Sequence, residues 1–119
     1  MINEIQNTQN FWNIIDEMIK THEIVIDRPK GTPHPKHPNW IYEANYGYLK
    51  GTSSADGDGI DVWVGSNEDK SINGIICIVD SAQCDSEIKI LIGCTKEEIE
   101  NIYARHNKYD SMKGILIRK

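Results

Sequence analysis

Three carboxylates fall within six residues in Asp56-Gly57-Asp58-Gly59-Ile60-Asp61. Like charges this close repel, and a fold tolerates them when something positive sits between them. Hard divalent cations favour oxygen ligands, so magnesium or calcium is the natural counter-charge. The two glycines allow a sharp turn and leave room for a ligand to approach. An EF-hand also begins D-x-D, but its fifth and sixth positions need Asp or Asn and then Gly. Here they are Ile60 and Asp61, and the twelfth position is Asn67 rather than Glu. A polar surface turn whose aspartates cap nearby amides competes with the metal reading. Asp61 shifts the balance, because it falls inside the alternation Ile60, Val62, Val64 against Asp61 and Trp63, the period of a strand.

A second acidic group follows. Asp80 closes an apolar run and Asp85 stands five residues later across a short turn. Alone, the pair reads as turn chemistry. Brought beside Asp61 by sheet pairing, it would make a five-carboxylate pocket able to hold two or more metals for phosphoryl transfer to water. Positive charge lies just upstream, in Arg28, Lys30, Lys36 and Lys50, with His34 and His37 among them. Cations and carboxylates so near each other suit a site that holds both anions and metal ions. His34 and His37, set among prolines, read as solvated, and histidine suits magnesium poorly. Arg28 either pairs with a surface acid or serves as an anion clamp.

The elements that must position these groups are legible. Ile5, Trp12, Ile15 and Ile19 recur at helical spacing and predict a helix over 4–20. Residues 23–27 read as a strand. Pro29, Pro33, Pro35 and Pro38 exclude regular structure from 29–39. An aromatic extended stretch over 40–49 leads to a Gly/Ser/Asp loop over 50–59. Strands are expected at 60–64, 74–80, 87–92 and 114–118. Thr95-Lys96-Glu97-Glu98 matches a capping box, so a helix should start at Lys96 and present Ile99, Ile102, Tyr103 and His106 on one face. Trp12 and Trp40 read as core or interface anchors. The period of two puts Trp63 on the face of Asp61.

The 119 residues suit one domain, 1–119, with 39% hydrophobic and 26% charged residues, the balance of a soluble globular chain. No apolar run reaches the roughly 18 residues of a membrane span, and the N-terminus lacks a secretory signal, so a cytoplasmic location is expected. A net charge of −5 argues against general nucleic-acid binding. Cys77, Cys84 and Cys94 form no C-x-x-C pair, which argues against a zinc ribbon, and Cys77 reads as a core residue.

Asn45-Tyr46-Gly47-Tyr48, then Gly51-Thr52, then Asp56-Gly57-Asp58-Gly59-Ile60-Asp61-Val62 closely resembles the signature of family I soluble inorganic pyrophosphatases, N-Y-G-Y followed by D-x-D-P-x-D. Ile26-Asp27-Arg28-Pro29-Lys30-Gly31 is similar to the family's E-I-P-K-G, and Asp80 and Asp85 match its later aspartate pair in spacing. The resemblance runs from about residue 24 to 92 and more loosely to the C-terminus. It implies an α+β fold, a five-stranded OB-like β-barrel with flanking helices. It implies two or more Mg2+ ions, a small-molecule diphosphate substrate and a homo-oligomer, with no nucleic-acid or membrane partner. Asp56, Asp61 and Asp85 would hold the metal that activates the attacking water, with Asp61 also touching its partner metal. Asp80 and Asp85 would hold an ion that arrives with substrate. Asp58 would be the general base. Tyr46, Lys36 and Lys108 would bind phosphate, with Arg28 and Lys30 as further candidates.

The departures fall on the anion clamp. Lys36-His37-Pro38 stands where the family has K-Y-E, and the following hairpin with its phosphate-binding arginine is missing. Gly59 replaces a proline, Asn107 stands in place of a tyrosine beside Lys108, and Glu87 lies near an expected lysine, a role Lys89 could fill. The leading expectation is metal-dependent hydrolysis of inorganic diphosphate. The alternatives are hydrolysis of another diphosphate compound, or a metal- and phosphate-binding module without turnover; Asp58 argues against the module, which needs no base.

Overall fold

The computed structural model describes residues 8–54 and 57–119. Helix α1 spans Gln9–Thr21, and Thr8 caps it, its hydroxyl accepting from the Phe11 amide. Strands β1 (Ile24–Arg28), β2 (Asn45–Leu49), β3 (Asp61–Val64), β4 (Ile72–Asp80) and β5 (Asp85–Ile92) follow. Then come helix α2 (Lys96–Arg105) and strand β6 (Met112–Arg118). The expected capping box forms: Thr95 accepts from the Glu98 amide, and the Glu98 side chain accepts from the Thr95 amide.

The strands make one six-stranded sheet in the order β1-β2-β3-β5-β4-β6. All neighbours are antiparallel except β3 and β5, which run parallel. The expected five-stranded OB-like barrel is therefore corrected. Strand β6 pairs along the outer side of β4 over seven residue pairs, and β1 and β6 end as opposite edges of an open sheet. Within the stretch read as extended over 40–49, only Asn45–Leu49 is a strand; Ile41 makes an isolated bridge to Pro33. Both strands of the β4–β5 hairpin run to its tip, so Asp85 lies in a strand, paired with Asp80.

Both faces of the sheet are covered, which explains its near-continuous apolar runs. On one face Trp12 and Ile15 of α1 pack with Leu49, Val62, Ile75, Ile90 and Ile92. On the other, Ile99 and Ile102 of α2 pack with Tyr42, Trp63, Ile76, Ile78 and Leu91. The alternation Val62/Trp63, Ile75/Ile76 and Ile90/Leu91 divides the two. Cys77 is half-buried on the α1 face rather than in the closed core, and burial raises its thiol pKa. Phe11, Ile14, Val79, Ile88 and Ile115 are exposed. No helix among the described residues is long and apolar enough to cross a membrane.

Candidate active site

The α2 face also carries the polar groups. Register places Tyr46 opposite Trp63 and Tyr48 opposite Asp61. Ile90 pairs with Val62, which sets Lys89 beside Asp61. A β-bulge between Ile26 and Arg28 of β1 interrupts the pairing with β2. Bulges bend a strand and re-aim its side chains, and here both Asp27 and Arg28 line the resulting cleft. The cleft measures about 550 Å³, and its other walls are Tyr46, Tyr48, Asp58, Gly59, Asp61, Glu87 and Lys89.

Lys89 organises this cleft. It is buried to 6% exposure, and its ammonium donates to Asp61 Oδ2 at 2.8 Å, Glu87 Oε1 at 2.5 Å and the Tyr46 hydroxyl at 2.6 Å. Burial alone would lower its pKa, but Tyr46, Asp61 and Glu87 outweigh that and hold it above the ordinary lysine value. Burial raises the Tyr46 phenol above its ordinary value, so Tyr46 acts as a neutral hydroxyl. The charge of Lys89 is thus answered by two carboxylates, and a side chain at Glu87's position contributes an acid where a lysine was expected.

Asp58 reaches the cleft from a braced loop. Ser54 binds the Asp58 carbonyl through its amide at 2.7 Å, and the Ile60 amide donates to Thr52 Oγ1 at 3.0 Å. Gly59 has a steric reason to depart from proline. A Cβ there would lie 2.8 Å from both the Leu49 carbonyl oxygen and the Tyr48 ring.

Those of the other expected site residues that are described lie elsewhere. Asp56 is outside the described residues. Asp80 caps the hairpin turn, accepting from the amides of Ala82 at 2.9 Å and Gln83 at 3.1 Å. Asp85 is four residues along β5 from Lys89, about 13 Å at strand rise, and neither aspartate lines the cleft. Glu87 is the β5 carboxylate that meets the group. Lys30 reaches toward Glu98 at 3.7 Å. Lys36 and Lys108 share a separate depression with Trp40 and Tyr109. His34 is half-buried, not solvated as expected, and stacks against Tyr42.

Asp27, Glu87 and Lys89 are cleft residues that the motif did not single out as certain ligands. The bulge and the β3–β5 pairing bring them in, and neither is written in local sequence. Four carboxylates and two cations line the cleft, so it is acidic by two charges. Among the described residues no three His, Cys, Asp or Glu side chains converge as a metal group. The donor set is nevertheless all oxygen and net negative, which fits a hard divalent cation and not zinc or copper.

An α+β sheet thus gathers Asp27, Asp58, Asp61 and Glu87 with Arg28 and the buried Lys89 around one cleft. The family model Inorganic Pyrophosphatase matches residues 6–117, and the chain belongs to that family. Neither a curated protein nor a solved structure matches it.

Proposed function

We propose that the protein hydrolyses inorganic diphosphate to two phosphates. The observation that carries this reading is the meeting of Asp58, Asp61, Tyr46, Arg28 and Lys89 in one cleft of a chain from the pyrophosphatase family. In the reaction a water oxygen bonds to one phosphorus while the bridging P–O bond breaks. Asp58, exposed at the cleft wall, takes the water's proton as general base. Asp61 would hold magnesium together with Asp56; Asp80 and Asp85, expected as further metal ligands, do not line the cleft and take no part in this proposal. Magnesium, when bound, makes water a stronger nucleophile and neutralises phosphoryl oxygens. Lys89 fixes the Asp61 carboxylate through its 2.8 Å bond, and Tyr46 presents its hydroxyl to a phosphoryl oxygen. Arg28 faces the leaving group. Lys30, Lys36 and Lys108 draw the anion in from outside rather than touch it.

The role split has a direct test. Asp58→Asn should retain magnesium binding and lose roughly 10²–10⁴-fold in turnover. Asp61→Asn should weaken magnesium binding, read by calorimetry. Equal loss of magnesium binding in both would remove the assignment of Asp58 as base. A second reading, hydrolysis of an organic diphosphate, is favoured by the separate depression of about 340 Å³ whose lining includes Trp40 and Tyr109 as well as Lys36 and Lys108. Higher kcat/KM for an aromatic diphosphate ester than for inorganic diphosphate would select it.

A further inference from the structure

Behind Tyr46 lies a smaller cavity of about 170 Å³, walled by Trp40, Tyr42, Trp63 and Met112. It shares Arg28, Tyr46, Glu87 and Lys89 with the main cleft, so the two adjoin. Two of its polar side chains, Arg105 and His106, are each only 6% exposed. Each keeps a buried nitrogen with no partner, Arg105 Nη2 and His106 Nδ1.

Both orphans are donors. An arginine nitrogen can only donate. His106 Nε2 receives the Trp63 indole N–H at 3.2 Å. Indole is donor-only, so Nε2 carries no proton and the hydrogen of the neutral ring sits on Nδ1. Arg105 is rigidly held: Nη1 donates to the Ile41 carbonyl at 3.1 Å and to Glu43 at 3.0 Å. Its guanidinium lies 4.3 Å from the Tyr42 ring centre and 4.4 Å from that of Trp40. Arg28 enters from the cleft side, its Nη1 donating to the Tyr42 hydroxyl, and no carboxylate within ion-pair distance answers it among the described residues. Buried donors are rarely left unsatisfied, and each exception calls for an explanation. Two of them, on neighbouring residues that line one small cavity together with an arginine that has no carboxylate partner among the described residues, fit a single oxyanion. The cavity is below the volume that takes a drug-sized molecule.

We propose that Arg105, His106 and Arg28 form a subsite for one phosphoryl-sized oxyanion, a cationic clamp beside the acidic cleft. The inference rests on the diphosphatase reading for its place in catalysis, but not for its chemistry. Acidic cleft and basic cavity then divide the work: the cleft takes cations and the reacting phosphoryl, the cavity the departing one. The probe is inorganic phosphate, titrated with chelator present so that no metal can hold it. The wild-type chain should bind it, with quenching of tryptophan fluorescence and a shift of the His106 Nδ1–H resonance. Arg105→Lys keeps a charge for Glu43 but lacks the second nitrogen of the fork, and should weaken binding tenfold or more. Asp58→Asn should bind as wild type does. Absence of phosphate binding, equal binding by Arg105→Lys, or an unmoved His106 resonance would each overturn the subsite. Diphosphatase activity is measured separately: phosphate binding without activity keeps the subsite and removes the reading above, and activity without metal-free phosphate binding does the reverse.

Discussion

At the scale of single residues, Lys89 and His106 carry the clearest consequences. Lys89 is the shared partner of Asp61 and Glu87, whose side chains are only 20% and 17% exposed. Removing one member of a buried ion pair strands the rest and costs about 3–5 kcal/mol. Lys89→Met should therefore lower the unfolding free energy by roughly that amount in urea titrations. Lys89→Met combined with Glu87→Gln should recover part of it. A loss under 1 kcal/mol would place the cluster with exposed ion pairs instead. His106 titrates abnormally. Burial first, then Lys89 and Arg105, pushes its pKa down to about 3. Between there and the unfolded value near 6.5 the unfolded chain binds a proton that the native chain does not. Stability is therefore fully present above about pH 6.5 and falls as pH drops toward 3, by roughly 3–5 kcal/mol from this group. His106→Gln, which can still accept from Trp63, should flatten that part of the pH profile relative to wild type. An unchanged slope would contradict the neutral, buried assignment. Sequence alone exposed Asp58, Asp61 and Tyr46, because their motif is local. It marked Glu87 and Lys89 only as neighbours of an expected lysine position and did not single out Arg105, because their contacts exist only once β3 lies beside β5 and Arg105 of α2 lies over Trp40.

At the scale of elements, period and capping chemistry were readable where they act within a few residues. The α2 capping box formed as spaced, and it does more than start a helix. Glu98 Oε1 also accepts from the Ser66 amide at 3.1 Å, tying α2 to the loop after β3. Burial alone would raise the Glu98 pKa, but the amides of Thr95 and Ser66 outweigh it and hold the carboxyl below its usual range. Thr95→Ala should cost about 1 kcal/mol, the usual worth of a cap, read as a lower urea midpoint with unchanged slope. Gly47 of the N-Y-G-Y motif answers to a neighbour rather than to its own loop. A Cβ there would fall 1.8 Å from the Val25 carbonyl oxygen, so Gly47→Ala should break β1–β2 pairing and displace Arg28 from the cleft. Strand ends were less legible: β5 and β6 both begin two residues before the starts expected at 87 and 114, because partner strands supply hydrogen bonds that local hydropathy does not record.

At the scale of the whole molecule, the family likeness foretold an α+β protein but overstated closure. An apolar strand run does not say which edge it will join, and β6 joined β4 instead of closing a barrel. The open sheet still brings the acidic loop, the bulged β1 and the inner part of β5 to one cleft, whose net negative charge calls for a cation before a diphosphate. Metal-assisted hydrolysis in this cleft is the central proposal. The most direct measurement is phosphate release from inorganic diphosphate by the full chain in saturating magnesium, repeated with excess chelator and with Asp58→Asn. Steady release is expected with magnesium, none above background with chelator, and a loss of roughly 10²–10⁴-fold in the variant. No release from diphosphate at saturating magnesium, or equal release with and without chelator, would contradict it.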